Sequence, residues 1–174
     1  MRGVVIEGLG CSGKSDLIAA LKEELKAAGG YDVRELDHSE CEDQFIRYLR
    51  EYAIGTRVLF HRSHLSERVF GKMLGNRRTF SDEEIATLNT VLSLRFVCVL
   101  AEPPSFESYV ERVARRGTRR AYSEGEYSDV IGAFREASRT IPHERYVSTS
   151  RSDLAATRNR ILSILGVKRT APDV

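Results

Sequence analysis

The chain has 174 residues, of which 41% are hydrophobic and 30% are charged, and its formal net charge is +2. This composition is that of a globular chain that can bury a core, and it excludes a disordered or low-complexity protein. The longest nearly apolar stretch, 96–101, is too short to cross a membrane, and the first residues lack the features of a signal peptide. We therefore expect one domain over 1–174 in the cytoplasm, with a frayed tail from about 167 to 174.

Hydrophobic periodicity predicts that strands and helices alternate along the chain. Strands are predicted at 4–6, 33–36, 57–60, 96–100 and 146–149. Helices are predicted at 14–28, 64–74, 105–117 and 153–165 and from 127 onward. Two more are predicted from capping signals, one that begins at 39 and ends at about 53 and one that begins at 81 and ends at about 93. Repeated strand-then-helix units are typical of a parallel sheet covered by helices on both faces, so we expect an α/β fold.

Positive charge is concentrated near a polar, irregular segment at about 117–126, which we interpret as a mobile lid. The arginines in this region are Arg112, Arg115, Arg116, Arg119 and Arg120. Such a cluster would suit a polyanionic ligand, but a solvated helix face has the same composition. Charge alone therefore leaves both interpretations open.

The segment 8–15, Gly-Leu-Gly-Cys-Ser-Gly-Lys-Ser, fits the phosphate-loop pattern G-x-x-x-x-G-K-[ST] at every specified position. It lies between a predicted strand and a predicted helix, so its backbone N–H groups and the helix N-terminus can face phosphate oxygens. Lys14 is expected to reach the β- and γ-phosphates, and Ser15 to hold Mg²⁺. We therefore expect ATP and Mg²⁺ as cofactors. The predicted cofactor-binding residues are Gly8, Gly10, Cys11, Ser12, Gly13, Lys14 and Ser15.

Three segments resemble those of thymidylate kinases and deoxynucleoside kinases, in the same order along the chain. The stretch 6–15 resembles the opening of both families, and 61–70 is similar to their Glu-Arg-Ser-x-x-Ser-Asp-Arg and Asp-Arg-x-x-x-Ser segments. The stretch 96–117 resembles the fourth strand and the helix that leads to an arginine-rich lid. The resemblance implies a three-layer P-loop kinase fold, with a central parallel sheet of about five strands flanked by helices. It also implies that Arg62 orients the phosphoryl acceptor and that lid arginines close over the phosphates of ATP.

Two positions depart from the family pattern. His61 stands where the family has an acidic residue, and it could be a base near neutral pH or a structural residue. The segment 34–38, Arg-Glu-Leu-Asp-His, stands where thymidylate kinases have Arg-Glu-Pro-Gly, which weakens the case for a monophosphate acceptor. The predicted catalytic residues are Glu7, Lys14, Arg62, Arg116 and Arg120, the predicted substrate-binding residues are Glu7, Asp37, His61, Arg62 and Ser66, and the predicted metal ligand is Ser15.

The end of the first strand suggests the type of acceptor. Glu7 is expected beside the γ-phosphate, where it could accept a proton from an attacking hydroxyl. We therefore expect an ATP-dependent kinase of a nucleoside or nucleotide-type acceptor, with a hydroxyl acceptor favoured. The alternatives are a thymidylate-like nucleoside monophosphate kinase and a phage-type kinase of a hydroxymethylated base, free or in DNA. A regulatory module that binds nucleotide and hydrolyses ATP slowly is a candidate from a different class.

Partners follow from the same observations. The net charge of +2 does not imply DNA, although DNA stays possible as an acceptor. No membrane partner is expected, and the resemblance implies a homodimer.

Overall fold

A computed structural model describes residues 2–27, 31–35, 44–54, 57–74, 80–117, 121–147 and 151–167. Within these residues the chain forms five strands and seven helices. In chain order they are β1 (Gly3–Gly8), α1 (Lys14–Ala27), β2 (Asp32–Glu35), α2 (Gln44–Ile54), β3 (Val58–His61), α3 (His64–Leu74), α4 (Asp82–Arg95), β4 (Phe96–Glu102), α5 (Phe106–Arg116), α6 (Glu124–Ser138), β5 (His143–Val147) and α7 (Arg151–Ile164).

The five strands form one parallel sheet in the order β2-β3-β1-β4-β5. The central strand, β1, pairs with β3 and β4, so that Ile6 lies opposite His61 and Gly8 lies opposite Ala101. In a parallel sheet all carboxyl ends meet at one edge, which is where open α/β sheets bind their ligands. The predicted α/β fold with a five-stranded parallel sheet is confirmed.

Helices cover the sheet on both faces, and the alternation along β1 shows how. Val4 and Ile6 pack into a cluster that includes the buried leucines of α1 and Ile161 of α7. Val5, between them, packs into a second cluster that receives side chains from α2, α3, α4, α5 and α6, among them Phe134. Every residue of β1 is buried, as expected for a strand covered on both sides.

The predicted helix caps at Ser81 and Ser105 are confirmed. Ser81 and Glu84 exchange hydrogen bonds as a capping box at the start of α4, and the Ser105 side chain accepts a hydrogen bond at the start of α5. Gly117 ends α5 with a left-handed φ of 60°, which favours glycine. The predicted capping signal at 39 lies outside the described residues.

Two element starts differ from the prediction by three residues, and several other boundaries differ by one or two. α6 begins at Glu124, inside the predicted lid, because Ser123 and Glu126 form a capping box that the polar composition of this segment concealed. β5 begins at His143, three residues earlier than predicted, because pairing with β4 extends it through exposed polar positions. The arginine-rich lid is therefore not confirmed. Among the described residues, the longest helix has 15 residues, and none has the length and hydropathy needed to cross a membrane.

Candidate active site

The segment that joins β1 to α1 forms the predicted phosphate loop, 8–15. Gly8 and Gly13 have positive φ angles of 131° and 91°, which other residues rarely adopt. A Cβ atom on Gly8 would lie 2.0 Å from the carbonyl oxygen of Ala101, so only glycine lets the loop pass β4 this closely. Cys11 also has a positive φ, of 59°. The loop therefore curves tightly before α1, the geometry in which backbone N–H groups can hold a phosphate.

Lys14, the first residue of α1, turns back over the loop. Its Nζ donates hydrogen bonds to the carbonyl oxygens of Gly8, at 2.8 Å, and Leu9, at 2.7 Å. Burial lowers the pKa of its ammonium group to about 8. Ser12 Oγ is also buried, and it has no hydrogen-bond partner among the described residues. A buried hydroxyl without a partner and a desolvated ammonium group both fit the phosphate oxygens of a nucleotide.

A cleft of about 700 Å³ opens along the loop. Its lining residues are Gly10, Cys11, Ser12, Gly13, Lys14, Ser15, Asp16, His61, Arg62, Arg112, Arg115 and Arg116. They come from the loop, the first turn of α1, the end of β3 and the last turns of α5. They include one lysine and four arginines but only one carboxylate, that of Asp16. This concentration of positive charge suits a polyphosphate ligand.

The cleft brings together several residues that the sequence singled out and three that the predicted site omitted, Asp16, Arg112 and Arg115. Among the predicted site residues, His61, Arg62 and Arg116 line the cleft. Arg112 was not in the predicted site, yet it lines the cleft, and its Nη1 donates to the carbonyl oxygen of Cys11 at 3.3 Å. The spacing 112, 115 and 116 could have revealed it, because residues three and four apart share a helix face. Two further predicted site residues, Asp37 and Arg120, lie outside the described residues, as does Arg119.

Arg62 has an unusual backbone conformation. It follows the last residue of β3, and its φ of 78° lies in the left-handed region, which a non-glycine residue adopts only where the surroundings enforce it. Its backbone N–H donates to the carbonyl oxygen of Ile6 at 3.0 Å. Strained positions of this kind are concentrated at functional sites, and this one lines the cleft.

Glu7 lies near the end of β1, where the sequence placed it, and its carboxylate is already hydrogen-bonded. Its side chain is fully buried, and it does not belong to the cleft lining. Oε1 accepts hydrogen bonds from Ser63 Oγ at 2.5 Å and Ser66 N at 3.2 Å, and Oε2 accepts from Ser66 Oγ at 2.6 Å and Gly8 N at 3.3 Å. A carboxylate accepts about four hydrogen bonds, so no site is left for the proton of an acceptor. The predicted role of Glu7 as general base would require at least one of these hydrogen bonds to break.

Two serines surround Glu7 and donate hydrogen bonds to it. Ser66 was expected to bind substrate, but it is buried and its hydroxyl donates to Glu7. Ser63, which the prediction omitted, is buried and donates to the same carboxylate. Burial raises the pKa of Glu7, and the hydrogen bonds from Ser63 and Ser66 oppose that shift. These three side chains form a polar cluster beneath the phosphate loop.

Comparisons with known proteins place this geometry in a fold. No protein-family model matches the sequence, and no curated protein matches it. Several solved structures share the fold. The YorR protein from Bacillus subtilis, in complex with phosphorylated GDP, is 15% identical and superimposes with a TM-score of 0.79, covering 97% of this chain and 100% of that chain.

Two enzymes superimpose less closely. Thymidylate kinase from Candida albicans is 12% identical, with a TM-score of 0.52 over 99% of this chain and 95% of that chain. Shikimate kinase from Acinetobacter baumannii, in complex with shikimate, is 12% identical, with a TM-score of 0.52 over 98% of this chain and 96% of that chain. The chain therefore has the P-loop kinase fold that its motifs predicted.

Proposed function

We propose that this protein is an ATP-dependent phosphotransferase that acts on a nucleotide-type acceptor. The observation that supports this proposal is the cleft itself, in which a phosphate loop and four arginines from two other elements face the same space. An isolated phosphate loop would fit any nucleotide-binding protein. Arginines from the end of β3 and from α5 add cationic groups beyond those that a phosphate loop supplies, which suits the charge carried by a phosphoryl group during transfer.

In this proposal, some residues of the cleft bind the donor phosphates and others neutralise their charge. The loop N–H groups and Lys14 would hold the donor phosphates, while Arg62 faces them from the end of β3. Because little covalent chemistry is left for the protein, positioning and electrostatic stabilisation account for most of the catalysis. Ser15, at the first turn of α1, would hold Mg²⁺, which when bound neutralises charge on the donor phosphates.

The acceptor that this site supports best carries its own phosphate. A hydroxyl acceptor needs a base, and the carboxylate predicted for that role, Glu7, already accepts four hydrogen bonds away from the cleft. A phosphate acceptor is largely ionised near pH 7 and needs no base. Arg112, Arg115 and Arg116 could neutralise its added charge. We therefore favour a nucleoside monophosphate over the nucleoside that the sequence first suggested.

A hydroxyl acceptor is the second candidate, and one observation favours it. His61 lines the cleft directly before Arg62, and a histidine is the side chain best suited to take a proton near neutral pH. In that case His61 replaces Glu7 as the base, and a nucleoside or a hydroxymethylated base would be the substrate.

A transfer assay separates these possibilities. ATP labelled at the γ-phosphate would be incubated with the protein, Mg²⁺ and nucleoside monophosphates, nucleosides or a hydroxymethylated DNA oligomer, with Lys14→Ala as the inactive control. We expect label in a nucleoside diphosphate and none with Lys14→Ala. Label in a nucleoside or in DNA, lost in His61→Gln, would favour the second candidate. Release of ADP without dependence on any acceptor would instead identify a regulatory ATPase.

A further inference from the structure

A buried carboxylate joins β1 to the turn that carries Arg62. Glu7 receives hydrogen bonds from the residue directly after Arg62, Ser63, and from Ser66 in the first turn of α3. The turn has further internal bonds, since Ser66 N donates to the Ser63 carbonyl at 3.2 Å and Leu65 N donates to Ser63 Oγ at 3.2 Å. Both ends of this turn are thus fixed to one carboxylate at the centre of the sheet.

The fixed turn explains how Arg62 keeps its strained backbone. A left-handed φ of 78° at an arginine is unfavourable on its own, and one backbone hydrogen bond, to Ile6, holds it from the preceding side. The bonds from Ser63 and Ser66 to Glu7 hold it from the following side. An extended backbone at residue 62 would carry its side chain in a different direction from the cleft that it now lines.

A buried carboxylate is not what packing alone would favour here. An apolar side chain of similar size could fill the space at the end of β1 without desolvating a charge. Glu7 instead lies fully buried beside the phosphate loop, with four donors arranged around it. Such a fully satisfied polar network fixes one arrangement of the groups that take part in it.

We propose that Glu7 is a positioning residue which, through Ser63 and Ser66, holds Arg62 in the left-handed conformation that directs its guanidinium group into the cleft. The catalytic part of this inference rests on the proposed phosphotransferase function, since it requires that Arg62 contact the transferred group or the acceptor. The conformational part concerns the chain alone. The two parts therefore need separate measurements.

The first measurement is a double-mutant cycle on turnover with Ser66→Ala and Arg62→Ala, singly and combined. If the serine acts through Arg62, Ser66→Ala lowers kcat by roughly 10- to 100-fold in the wild-type background, as expected for a misplaced group, with little change in KM for ATP. In the Arg62→Ala background the same change should alter kcat by less than about twofold, because the group that it positions is gone. An equal loss in both backgrounds would overturn the proposal.

Matched variants keep the cycle interpretable. Ser138→Ala removes another fully buried serine hydroxyl, which donates to the Arg135 carbonyl in α6 away from the cleft, and it should leave kcat unchanged. Ser66→Thr retains a hydroxyl and should recover part of the lost turnover. If Ser66→Ala does not fold, Ser63→Ala replaces it in the cycle, since it removes the other hydroxyl from the same carboxylate.

The second measurement does not depend on activity. Hydrogen exchange of the Arg62 amide, which donates to Ile6, would be followed by NMR in the wild-type protein, Ser66→Ala and Ser138→Ala. We expect the protection of the Arg62 amide to fall at least tenfold in Ser66→Ala and to stay unchanged in Ser138→Ala. The amides of β4 should keep their protection in both variants. Unchanged protection would overturn the inference. Lost protection in a protein without transferase activity would instead refute the proposed function and leave the conformational role standing.

Discussion

Gly8 shows how one residue decides whether the phosphate loop can form. Its φ of 131° is accessible to glycine, and any side chain at this position would meet the backbone of β4. Gly10, two residues later, has no heavy atom within 4 Å of an added Cβ. The two glycines share a motif, but only Gly8 is required by the packing of the loop against the sheet.

We therefore expect Gly8→Ala and Gly10→Ala to differ sharply in stability. Gly8→Ala should lower the free energy of unfolding by about 3 kcal/mol or more, because backbone strain and overpacking combine. Gly10→Ala should change it by less than about 1 kcal/mol. Urea unfolding of both variants at pH 7 measures the difference, and similar losses would contradict the close approach of Gly8 to Ala101.

Lys14 gives a second prediction, on the pH dependence of nucleotide affinity. Its pKa in the free protein is about 8, and bound phosphates favour the charged form, so ATP binding above pH 8 must take up a proton. The affinity for ATP should therefore fall as the pH rises above 8, by up to about tenfold per pH unit. Lys14→Arg is the control, because a guanidinium stays charged throughout. Calorimetric titrations between pH 7 and 9.5 would test this, and an equal decline in Lys14→Arg would refute it.

At the scale of one element, α5 combines a structural and a functional explanation for its charges. Arg115 and Arg116 lie in its last turn, where positive charge interacts favourably with the helix dipole. The same turn lines the cleft, and Arg112 contacts the phosphate loop from one turn earlier. The helix dipole alone would not require the end of α5 to face the loop.

Charge reversal on α5 distinguishes the two explanations. Arg116→Glu should lower kcat by about tenfold or more, since it removes a cation from the reacting phosphates, and it should weaken ATP binding less than that. Arg139→Glu is the control, because Arg139 pairs with Glu136 at the end of α6 and does not line the cleft. Steady-state kinetics on both variants would test this prediction. Unchanged kinetics for Arg116→Glu would mean that the arginines of α5 are solvated surface charges without a role in catalysis.

Elements were predictable from the sequence where a local signal defines them. The capping box of Ser81 with Glu84 begins α4, and the left-handed Gly117 ends α5, as predicted. The start of α6 was missed although Ser123 and Glu126 carry the same signal, because polar composition suggested a loop. A polar composition indicates that a segment is exposed to solvent, whereas the capping residues indicate where a helix begins.

At the scale of the whole molecule, residues distant in sequence form networks that no motif indicates. The phosphate loop was predictable because it is continuous in sequence. The bonds from Ser63 and Ser66 to Glu7 depend on β1 pairing with β3, so only the assembled sheet shows that Glu7 is already saturated. His64 is a second example, since its neighbours Tyr52 and Asn89 come from α2 and α4.

The His64 network predicts how stability depends on pH. Nε2 donates to Asn89 Oδ1 and Nδ1 accepts from the Tyr52 hydroxyl, each at 2.8 Å, an arrangement that suits the neutral ring. Burial lowers its pKa to about 4, against an ordinary value of 6.5. Between these values the unfolded chain binds the proton first, so stability falls as the pH drops from 6.5 to 4, by up to about 3 kcal/mol.

Urea unfolding across this pH range would test the prediction by comparing the wild-type protein with His64→Gln. The variant should be less stable at pH 7, and its stability should decline less steeply below pH 6.5, because glutamine does not titrate. Parallel curves for the two proteins would show that another group causes the acid sensitivity.

The central place of β1 in the sheet also affects how the protein is made. Val4 pairs with Leu59 and Val97, so β1 is synthesised well before either partner and its apolar segment stays exposed meanwhile. Such non-local parallel pairing slows folding and leaves the nascent chain open to aggregation. Gly8, the first residue of the loop, pairs with Ala101 of β4. A nascent chain that stops before Phe96 would thus contain the whole phosphate-loop sequence without the strand beside which the loop begins.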